Sequence, residues 1–305
     1  MEINQNFVDE ITKLLPPHQF FIHEMMSKHT TFKIGGPADY LIFPASIHEV
    51  TCVFDLLRKY SIPFTVLGNG SNVLVLDKGI RGAVVKFNSP MSEMHLADHV
   101  IVAGAGALLA DVSKYAAQCG LTGMEFAVGI PGSIGGAVFM NAGAYDGEMQ
   151  GIVKGVRTVN ANGKVVYYTN NEINFGYRHS IFQENNQAIC EVEISLQPGN
   201  ATEIIKKMDG FTQRRESKQP LEMPSAGSTF KRPEGYFAGT LIEQTGLKGF
   251  HVGGAQISDK HAGFVVNTGC ATAADVLNLI KEVQKRVYET NGVKLFPEVR
   301  IIGEE

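Results

Sequence analysis

The sequence has little cysteine, and its spacing gives the thiols no structural task. The chain of 305 residues has four widely separated cysteines, and no two of them form a CxxC pair. They are Cys52, Cys119, Cys190 and Cys270. Neither a disulfide framework nor a cysteine-based zinc site is therefore indicated, and the pattern fits free thiols in a reducing compartment. We expect a cytoplasmic protein.

Excess positive charge and long apolar runs are also missing. The formal net charge is -4 and the pI about 6.2, without a long basic run, so the footprint of a nucleic-acid-binding protein is absent. Asp9 and Glu10 stand where a signal peptide would need its apolar core, and glycines and a proline interrupt residues 126–140. The sequence predicts no nucleic-acid partner and no membrane insertion.

No cluster of metal ligands stands out. His95 and His99 are four residues apart, which on a helix could form a metal-binding pair. The residues that follow have the pattern of a strand, and no third ligand is near in sequence. We therefore predict that the protein holds no metal.

Apolar residues, in contrast, make up 44% of the chain, which is enough for a large core, and the length implies two or three domains. Apolar periodicity and capping residues predict an α+β protein. The predicted helices carry residues 7–15, 47–57, 108–118, 134–140, 200–217, 237–245 and 272–291. The predicted strands lie at 38–43, 64–67, 73–76, 82–87, 99–103, 156–160, 164–169, 189–196, 252–257, 263–267 and around 293–302.

Two local signals are specific enough to be checked. Ser46 and Glu49 have the spacing of a capping box before an amphipathic helix. Ala161-Asn162-Gly163 lies between two alternating segments and has the signature of a hairpin loop. We expect one helix start and one hairpin at these places.

Residues 123–147, GMEFAVGIPGSIGGAVFMNAGAYDG, are rich in glycine and contain no lysine or arginine. Pro131 precedes Ser133, which is a good N-cap for a helix carrying Ala137, Val138 and Met140. The N–H groups of Gly132, Ser133, Ile134, Gly135 and Gly136 would then point outward as a site for phosphate or pyrophosphate. A tight packing corner is the alternative explanation of the glycines.

A second glycine loop, Gly68-Asn69-Gly70-Ser71-Asn72, lies between two apolar runs. Neither loop is a standard phosphate fingerprint, because GIPGSIGG lacks the Lys-Ser/Thr of a P-loop and GNGSN is not a GxGxxG that opens a helix. Two non-standard anion loops in one chain favour a dinucleotide held by a different fold. We predict that both loops bind the cofactor.

Six segments together resemble the UDP-N-acetylenolpyruvoylglucosamine reductase family of peptidoglycan synthesis. They are TTFKIGGPADYL from Thr30, LGNGSNVLV from Leu67, GMEFAVGIPGSIGGAVFMNAGAY from Gly123, FGYRHSIF from Phe175, SAGSTFKRP from Ser225 and LFPEVRIIG from Leu295. Their order and spacing run nearly from end to end of the chain. The absence of an insertion between Ser228 and Gly249 resembles the shorter branch, which lacks a tyrosine-bearing substrate loop.

The resemblance implies a vanillyl-alcohol-oxidase (PCMH) type of FAD-binding fold with a third, substrate-binding domain. The boundaries expected from composition and prolines are 1–88 and 89–219 for the two FAD-binding subdomains and 220–298 for the substrate domain. The segment 299–305 is expected to return to the first subdomain. In the family the two glycine loops embrace the FAD pyrophosphate, and no His or Cys in 68–72 could attach flavin covalently, so dissociable FAD is expected.

The resemblance also implies a reaction, in which NADPH reduces FAD and the flavin reduces UDP-N-acetylglucosamine enolpyruvate to UDP-N-acetylmuramate. Matched to the family motifs, Arg178 supplies a cation for the substrate carboxylate, Ser228 the proton, and Glu298 a catalytic carboxylate. Arg214 and Lys218 align with the family's contacts to the UDP pyrophosphate. Lys231 is a nearby cation that would support proton transfer from Ser228.

Two rival functions stay open at this stage. One is a flavin oxidase of the same fold that acts on an alcohol, with oxygen as the acceptor. The other is a non-catalytic module that binds flavin or a nucleotide sugar, although Arg178, Ser228 and Glu298 together speak against it. The sequence does not specify an oligomer, and a monomer is compatible with it.

Overall fold

The computed structural model describes residues 3–304, and the chain folds into two compact units. The first unit comprises the N-terminal segment to His23, Asp39–Asn69 and Gly82–Arg214. The second comprises Glu24–Ala38, Gly70–Arg81 and the chain from Arg215 onward. The glycine loop at 68–72 is therefore divided between the two units.

The helices support both units and alternate irregularly with strands along the chain. They are α1 (Gln5–Leu14), α2 (Ile47–Lys59), α3 (Leu109–Gln118), α4 (Ile134–Phe139), α5 (Phe182–Asn185), α6 (Ala201–Lys218), α7 (Ala238–Gln244) and α8 (Ala273–Asn291). All predicted helices are confirmed to within a few residues, and α5 was not predicted.

The strands are mostly short. They are β1 (Phe20–Met25), β2 (Pro37–Ile42), β3 (Phe64–Leu67), β4 (Val73–Val75), β5 (Ile80–Lys86), β6 (Met94–Ala97), β7 (Val100–Gly104), β8 (Leu121–Thr122), β9 (Gly143–Ala144), β10 (Gly147–Glu148), β11 (Val153–Val159), β12 (Val165–Thr169), β13 (Ala188–Ser195), β14 (Gln197–Pro198), β15 (Ser225–Ser228), β16 (His251–Val252), β17 (Ala255–Ile257), β18 (Phe264–Asn267) and β19 (Arg300–Ile302).

The main sheet of the first unit is antiparallel, with the strand order β12-β11-β13-β7-β6. Its β11–β12 pair is the predicted hairpin, in which Val159 lies opposite Val165 and Gly163 has a φ of +74°. A second sheet has the order β1-β2-β5-β3, and its β3 and β5 are parallel. Helix α1 packs into this unit through Phe7, whose ring lies 4.9 Å from that of Tyr40.

The second unit is built on a four-stranded antiparallel sheet with the order β15-β18-β17-β16. Helix α8 packs on this sheet through Val276, Leu279 and Val283, which are fully buried. The C-terminal strand β19 pairs in parallel with β4, so that Arg300 lies opposite Val73. The predicted division into three domains stays a prediction.

Helix starts follow the local rules in most places. Thr272 and Asp275 form a complete capping box at α8, and Asn200 accepts hydrogen bonds from the amides of Thr202 and Glu203 at α6. The box predicted at α2 forms only in part. Ser46 accepts from the Glu49 amide, whereas the Glu49 carboxylate accepts from the amide of Ala45.

Two strand predictions are wrong in extent. The segment 252–257 is a hairpin, because Gly253 has a φ of +53° and turns the chain between β16 and β17. The terminal strand is confined to Arg300–Ile302, since Pro297 has no N–H and the pairing ahead of β19 reduces to a single bridge, Phe230 with Pro297. Strands β1, β6 and β15 and the two-residue strands β8, β9, β10 and β14 were not predicted.

Residues 3–304 contain neither a membrane-spanning helix nor a cluster of metal ligands. No helix there combines the length and the apolar character needed to cross a bilayer. No group of three or more histidine, cysteine, aspartate or glutamate side chains is placed to hold a metal ion within the same residues. His95 lies in strand β6 and not on a helix.

Lys86, at the end of β5, gives a prediction about stability. Its side chain is 8% exposed, and burial lowers the pKa of the ammonium from 10.5 to about 8. The unfolded chain therefore binds this proton more tightly, and stability rises as the pH increases from about 8 to about 10.5. Lys86→Met should raise the free energy of unfolding by about 1–3 kcal/mol at pH 7 and by much less near pH 10.5. Urea unfolding at both pH values measures the difference, and an equal gain at both would contradict the account.

Candidate active site

In the first unit the two glycine loops lie against each other. The side-chain amide of Asn69 donates to the carbonyl oxygen of Pro131. A Cβ built on Gly68 would overlap the Ser133 hydroxyl, so only glycine allows the two backbones to approach this closely. The structure thus brings together Gly68, Asn69 and the start of α4.

The start of α4 is formed as predicted, but fewer of its amides are open than expected. Ser133 caps the helix by accepting from the Gly136 amide at 3.4 Å. The amides of Ile134 and Gly135 donate to the carbonyls of Ala107 and Ala105, at 2.8 and 3.0 Å. The prediction of outward-pointing N–H groups is therefore wrong for Ile134, Gly135 and Gly136. Gly135 is a packing glycine, because a Cβ there would lie 2.8 Å from that of Ala105.

The other amides of the two loops are open. Across residues 3–304, the backbone N–H groups of 68–72, Gly132 and Ser133 donate to no protein acceptor. Amides left in this way are costly unless water or a ligand accepts from them, and consecutive open amides form a concave site for anions. The open amides are therefore better suited to bind a phosphate or pyrophosphate than the side chains of the two loops are.

In the second unit, backbone hydrogen bonds around the isolated bridge of Phe230 with Pro297 join the residues after Ser228 to the segment that carries Glu298. Ser228 ends β15 and lies opposite Phe264 of β18. On the other side, the Glu298 amide donates to the Thr229 carbonyl at 2.8 Å, and the Lys231 amide donates to the Phe296 carbonyl at 2.8 Å. The structure therefore places these two candidate residues within one residue of directly facing each other.

Asn72, at the end of the glycine loop 68–72, is hydrogen-bonded to the segment that carries Glu298. Its side-chain amide donates to the Glu298 carbonyl at 3.3 Å, and its own carbonyl accepts from the Arg300 amide at 3.0 Å. Gly70 is required nearby because its φ is +71° and a Cβ would strike the carbonyl of His29. One end of the open-amide loop is thus tied to the segment that carries Glu298.

Burial controls two titratable groups close to this pairing. His261 precedes Gly263, whose carbonyl accepts from the Thr229 amide, and burial lowers the pKa of the imidazole. The ring is therefore neutral at neutral pH, and Nδ1 accepts from the Gly263 amide at 3.0 Å. Burial also lowers the pKa of the Arg300 guanidinium.

Arg178 lies at the tip of a tight turn in the first unit. Gly176 and His179 exchange two backbone hydrogen bonds of 3.1 Å, so Tyr177 and Arg178 are the two residues of the loop. Arg178 has a φ of +55°, which is uncommon for a residue with a side chain. Its guanidinium lies 3.4 Å from the Gly143 carbonyl oxygen and 5.1 Å from the centroid of the Tyr177 ring.

Three polar side chains fasten this turn to the end of α4. Ser180 and the side-chain amide of Gln183 both donate to the Phe139 carbonyl, at 2.8 and 2.9 Å. Asn141 donates from its side chain to the Gly176 carbonyl at 3.0 Å. The sequence alone does not single out these residues, because serine, glutamine and asparagine are common and only their hydrogen-bond partners in the fold distinguish them.

The candidate phosphate contacts are cationic and exposed. Arg214 lies on α6, and its guanidinium is 5.0 Å from the centroid of the Tyr145 ring, which stacks on Phe211. Lys218 is the last residue of α6 and belongs to the second unit. Lys231 follows β15, close to Ser228 in sequence. Arg214 is grouped with the aromatic pair, whereas Lys218 and Lys231 lie at the surface of the other unit.

The arrangement offers groups suited to distinct tasks. Open amides accept an anion without needing a cationic side chain. A guanidinium has the planar shape that matches a carboxylate, and an exposed hydroxyl can donate or relay a proton. Groups of these kinds suit a cofactor with a diphosphate and a substrate that carries a carboxylate.

Comparison with known proteins bears on the family and fold. A sequence model described as "UDP-N-acetylenolpyruvoylglucosamine reductase, C-terminal domain" matches residues 219–302, and one described as "FAD binding domain" matches residues 38–168. The chain is 50% identical over 298 residues to the UDP-N-acetylenolpyruvoylglucosamine reductase of Caldanaerobacter subterraneus subsp. tengcongensis, with 98% of each chain covered.

Two solved structures agree with the predicted fold class. The chain is similar to the UDP-N-acetylenolpyruvylglucosamine reductase (MurB) of Thermus caldophilus, with 36% identity, a TM-score of 0.80 and coverage of 93% of this chain and 98% of that one. Alkyldihydroxyacetonephosphate synthase is similar at a TM-score of 0.52 and 16% identity, over 65% of this chain and 41% of that one, which shows the fold alone. The predicted PCMH-type FAD-binding fold is confirmed.

The contact between the glycine loops can be tested at Gly68. Gly68→Ala places a methyl group against Ser133 and 3.7 Å from the Gly136 amide, so the two loops must move apart. We expect the variant to bind FAD about tenfold more weakly or worse, as measured by titrating the apoprotein and following flavin fluorescence. Gly151→Ala is the matched control, because a Cβ there meets nothing within 4 Å. Equal affinities of the two variants would show that the loop contact does not shape the site.

Proposed function

The chain belongs to the UDP-N-acetylenolpyruvoylglucosamine reductase family, and from that premise we propose that it reduces UDP-N-acetylglucosamine enolpyruvate to UDP-N-acetylmuramate. NADPH is the electron donor and FAD the cofactor, and the product is a peptidoglycan precursor. The observation that supports the proposal is the backbone hydrogen bond from Glu298 to Thr229, the residue after Ser228, because it joins two separate family motifs.

The residues present fit FAD. The amides of 68–72, Gly132 and Ser133 would hold its pyrophosphate through backbone dipoles. When bound, FAD supplies a two-electron carrier that accepts hydride from NADPH and delivers it to the β-carbon of the enolpyruvyl ether. No His or Cys occurs in 68–72, so the cofactor is expected to be dissociable.

Arg178 is proposed to bind the enolpyruvyl carboxylate. Hydride arrival at the β-carbon drives negative charge through the double bond into this carboxylate, and a fixed cation stabilises that charge. The planar guanidinium can donate two parallel hydrogen bonds to a carboxylate, which an ammonium cannot. The turn that carries Arg178 is rigid enough to hold such a group in place, because both its backbone and neighbouring side chains are hydrogen-bonded.

Ser228 is proposed to give the proton to the α-carbon, next to the carbon that receives hydride. A serine hydroxyl is a weak acid, so transfer must accompany the development of charge on the substrate. Lys231, two residues beyond the Thr229 that faces Glu298, supplies a nearby cation that favours release of this proton. Ser228 is exposed, as a residue that meets a substrate must be before binding.

Glu298 is proposed to orient the enolpyruvyl end of the substrate together with Arg178. Its backbone is fixed by the Thr229 carbonyl and by Asn72. These two bonds fix the point of the chain from which the Glu298 side chain projects, on the segment joined to Asn72. Arg214 and Lys218 are proposed to contact the UDP pyrophosphate, where cations offset the charge of the phosphates.

The cellular setting and the domain division follow from the proposed role. The substrate and product are nucleotide sugars of the cytoplasm, so we place the protein there. We assign residues 1–88 and 89–219 to the cofactor and 220–298 to the substrate. The match of one family model to 38–168 and of the other to 219–302 supports a division near residue 219.

An anaerobic experiment tests the function directly. The purified protein should be yellow, lose its flavin absorbance on addition of NADPH, and regain it when the enolpyruvyl UDP-sugar is added. Rapid reoxidation by air without that substrate would identify an alcohol oxidase of the same fold. Failure of NADPH to bleach the flavin would identify a binding module without catalysis.

Ser228→Ala tests the proton donor. Loss of the hydroxyl should leave flavin reduction by NADPH nearly unchanged and slow reoxidation by the substrate about a hundredfold or more. Stopped-flow absorbance measures the two half-reactions separately. Ser195→Ala, at an exposed serine in β13, is the control and should change neither rate. Equal slowing of both half-reactions in Ser228→Ala would remove Ser228 from the proton-transfer step.

Arg178→Lys tests the carboxylate clamp. The variant keeps the charge but loses the planar fork, so the substrate-dependent half-reaction should slow by roughly one to three orders of magnitude. Arg157→Lys is the control, because Arg157 forms an exposed ion pair with Glu191 at 2.7 Å on the main sheet. Near-normal turnover of Arg178→Lys, measured as NADPH consumption at saturating substrate, would exclude Arg178 from the site.

A further inference from the structure

Asn141 occupies a position at the end of α4 where glycine is the usual residue. The Asn141 amide donates to the Val138 carbonyl at 3.1 Å, and the Ala142 amide donates to the Ala137 carbonyl at 2.8 Å. These two bonds form the Schellman motif, in which the residue after the C-cap is left-handed. Asn141 has the corresponding φ of +43°.

The side chain explains why asparagine stands here. Asn141 is fully buried, and both ends of its amide are used. The Nδ2 group donates to the Gly176 carbonyl at 3.0 Å, and Oδ1 accepts from the Gln150 amide at 2.9 Å. Glycine would relieve the left-handed backbone but would remove both bonds, so asparagine serves a contact that α4 alone does not need.

The contact is made to the turn that presents Arg178. Gly176 begins this turn, and its carbonyl accepts from Asn141 as well as from the His179 amide. Arg178 itself is left-handed, which is unfavourable for its backbone and persists only where surrounding contacts hold it. Gln183 adds to these contacts by donating to the Arg178 carbonyl at 2.9 Å.

We propose that Asn141 is a positioning residue for Arg178, which fixes the turn 176–179 on the end of α4 so that the guanidinium meets the substrate carboxylate in a single orientation. The inference rests on the proposed function and adds to it a residue that does not touch the substrate. Asn141 acts through the Gly176 carbonyl, and the open amides of Gly132 and Ser133 directly precede the other end of α4. A displacement of about 1 Å in a group that must align with a reacting substrate can cost about a hundredfold in rate.

Asn141→Gly tests the proposal in the holoenzyme without straining the backbone. Substrate-dependent reoxidation of the reduced flavin should slow by about 10- to 100-fold, whereas flavin reduction by NADPH and the FAD affinity stay near their original values. Asn141→Asp keeps the acceptor for Gln150 but sets a carboxylate oxygen against the Gly176 carbonyl, so it should be slowed at least as much. Asn186→Gly is the matched control, because Asn186 is also left-handed, with a φ of +50°, and exposed at the end of α5.

Two further measurements separate positioning from general loosening. Amide hydrogen exchange of the holoenzyme should be faster in the peptide 175–183 of Asn141→Gly and unchanged in the main sheet. In a double-mutant cycle with Arg178→Lys, the effects on the substrate-dependent rate should be far from additive, because both changes impair the same group. Additive effects, or equal slowing of both half-reactions, would overturn the proposal. A wild-type protein that NADPH reduces but the enolpyruvyl UDP-sugar does not reoxidise would instead refute the proposed function.

Discussion

Backbone hydrogen bonding sets the strongest constraint on this molecule. Nearly every amide in a folded chain must donate to something, and the helices and sheets of both units satisfy this rule internally. The amides of 68–72, Gly132 and Ser133 donate to nothing among residues 3–304. A polar ligand that accepts from several amides at once removes the deficit, and a pyrophosphate group does so with its own negative charge. A cofactor with a diphosphate is suited to these amides.

Helix α4 links the glycine loops at its N-terminal end to the turn that carries Arg178 at its C-terminal end. At its N-terminal end Ser133 turns the chain toward Gly68, and at its C-terminal end the Phe139 carbonyl accepts from Ser180 and Gln183. The helix is only six residues long, so its two ends move together as one rigid piece. Contacts that hold the cofactor loop at one end therefore also fix the segment that carries Arg178. Neither end could change its sequence freely without disturbing the other.

Much of the fold could be predicted from the sequence, because helix starts and alternating strands have local causes. Thr272 and Asp275 mark the start of α8, and Asn162-Gly163 marks a hairpin, without help from distant residues. Strand β15 could not be predicted in this way. Its sequence, Ser-Ala-Gly-Ser, has no strand preference, and it is extended because β18 pairs with it. The length of the terminal strand was overestimated, because the effect of Pro297 on strand pairing depends on the segment that lies beside it in the fold.

The candidate site was harder to predict from the sequence than the fold, because one residue type can serve different purposes. Glycine in a loop can signal an open ligand site or a close packing contact, and the chain uses both. Gly135 packs against Ala105, whereas the neighbouring Gly132 has an open amide. Only tertiary structure separates the two cases, because the residue type is the same. The roles proposed for Arg178, Ser228 and Glu298 rest on family motifs, since an isolated arginine, serine or glutamate carries no such information. Asn141 departs from the local preference for glycine, and such departures are informative where the side chain makes bonds that the helix itself does not require. At α8, where Gly292 occupies the same left-handed position, no comparable contact is needed and the ordinary residue is found.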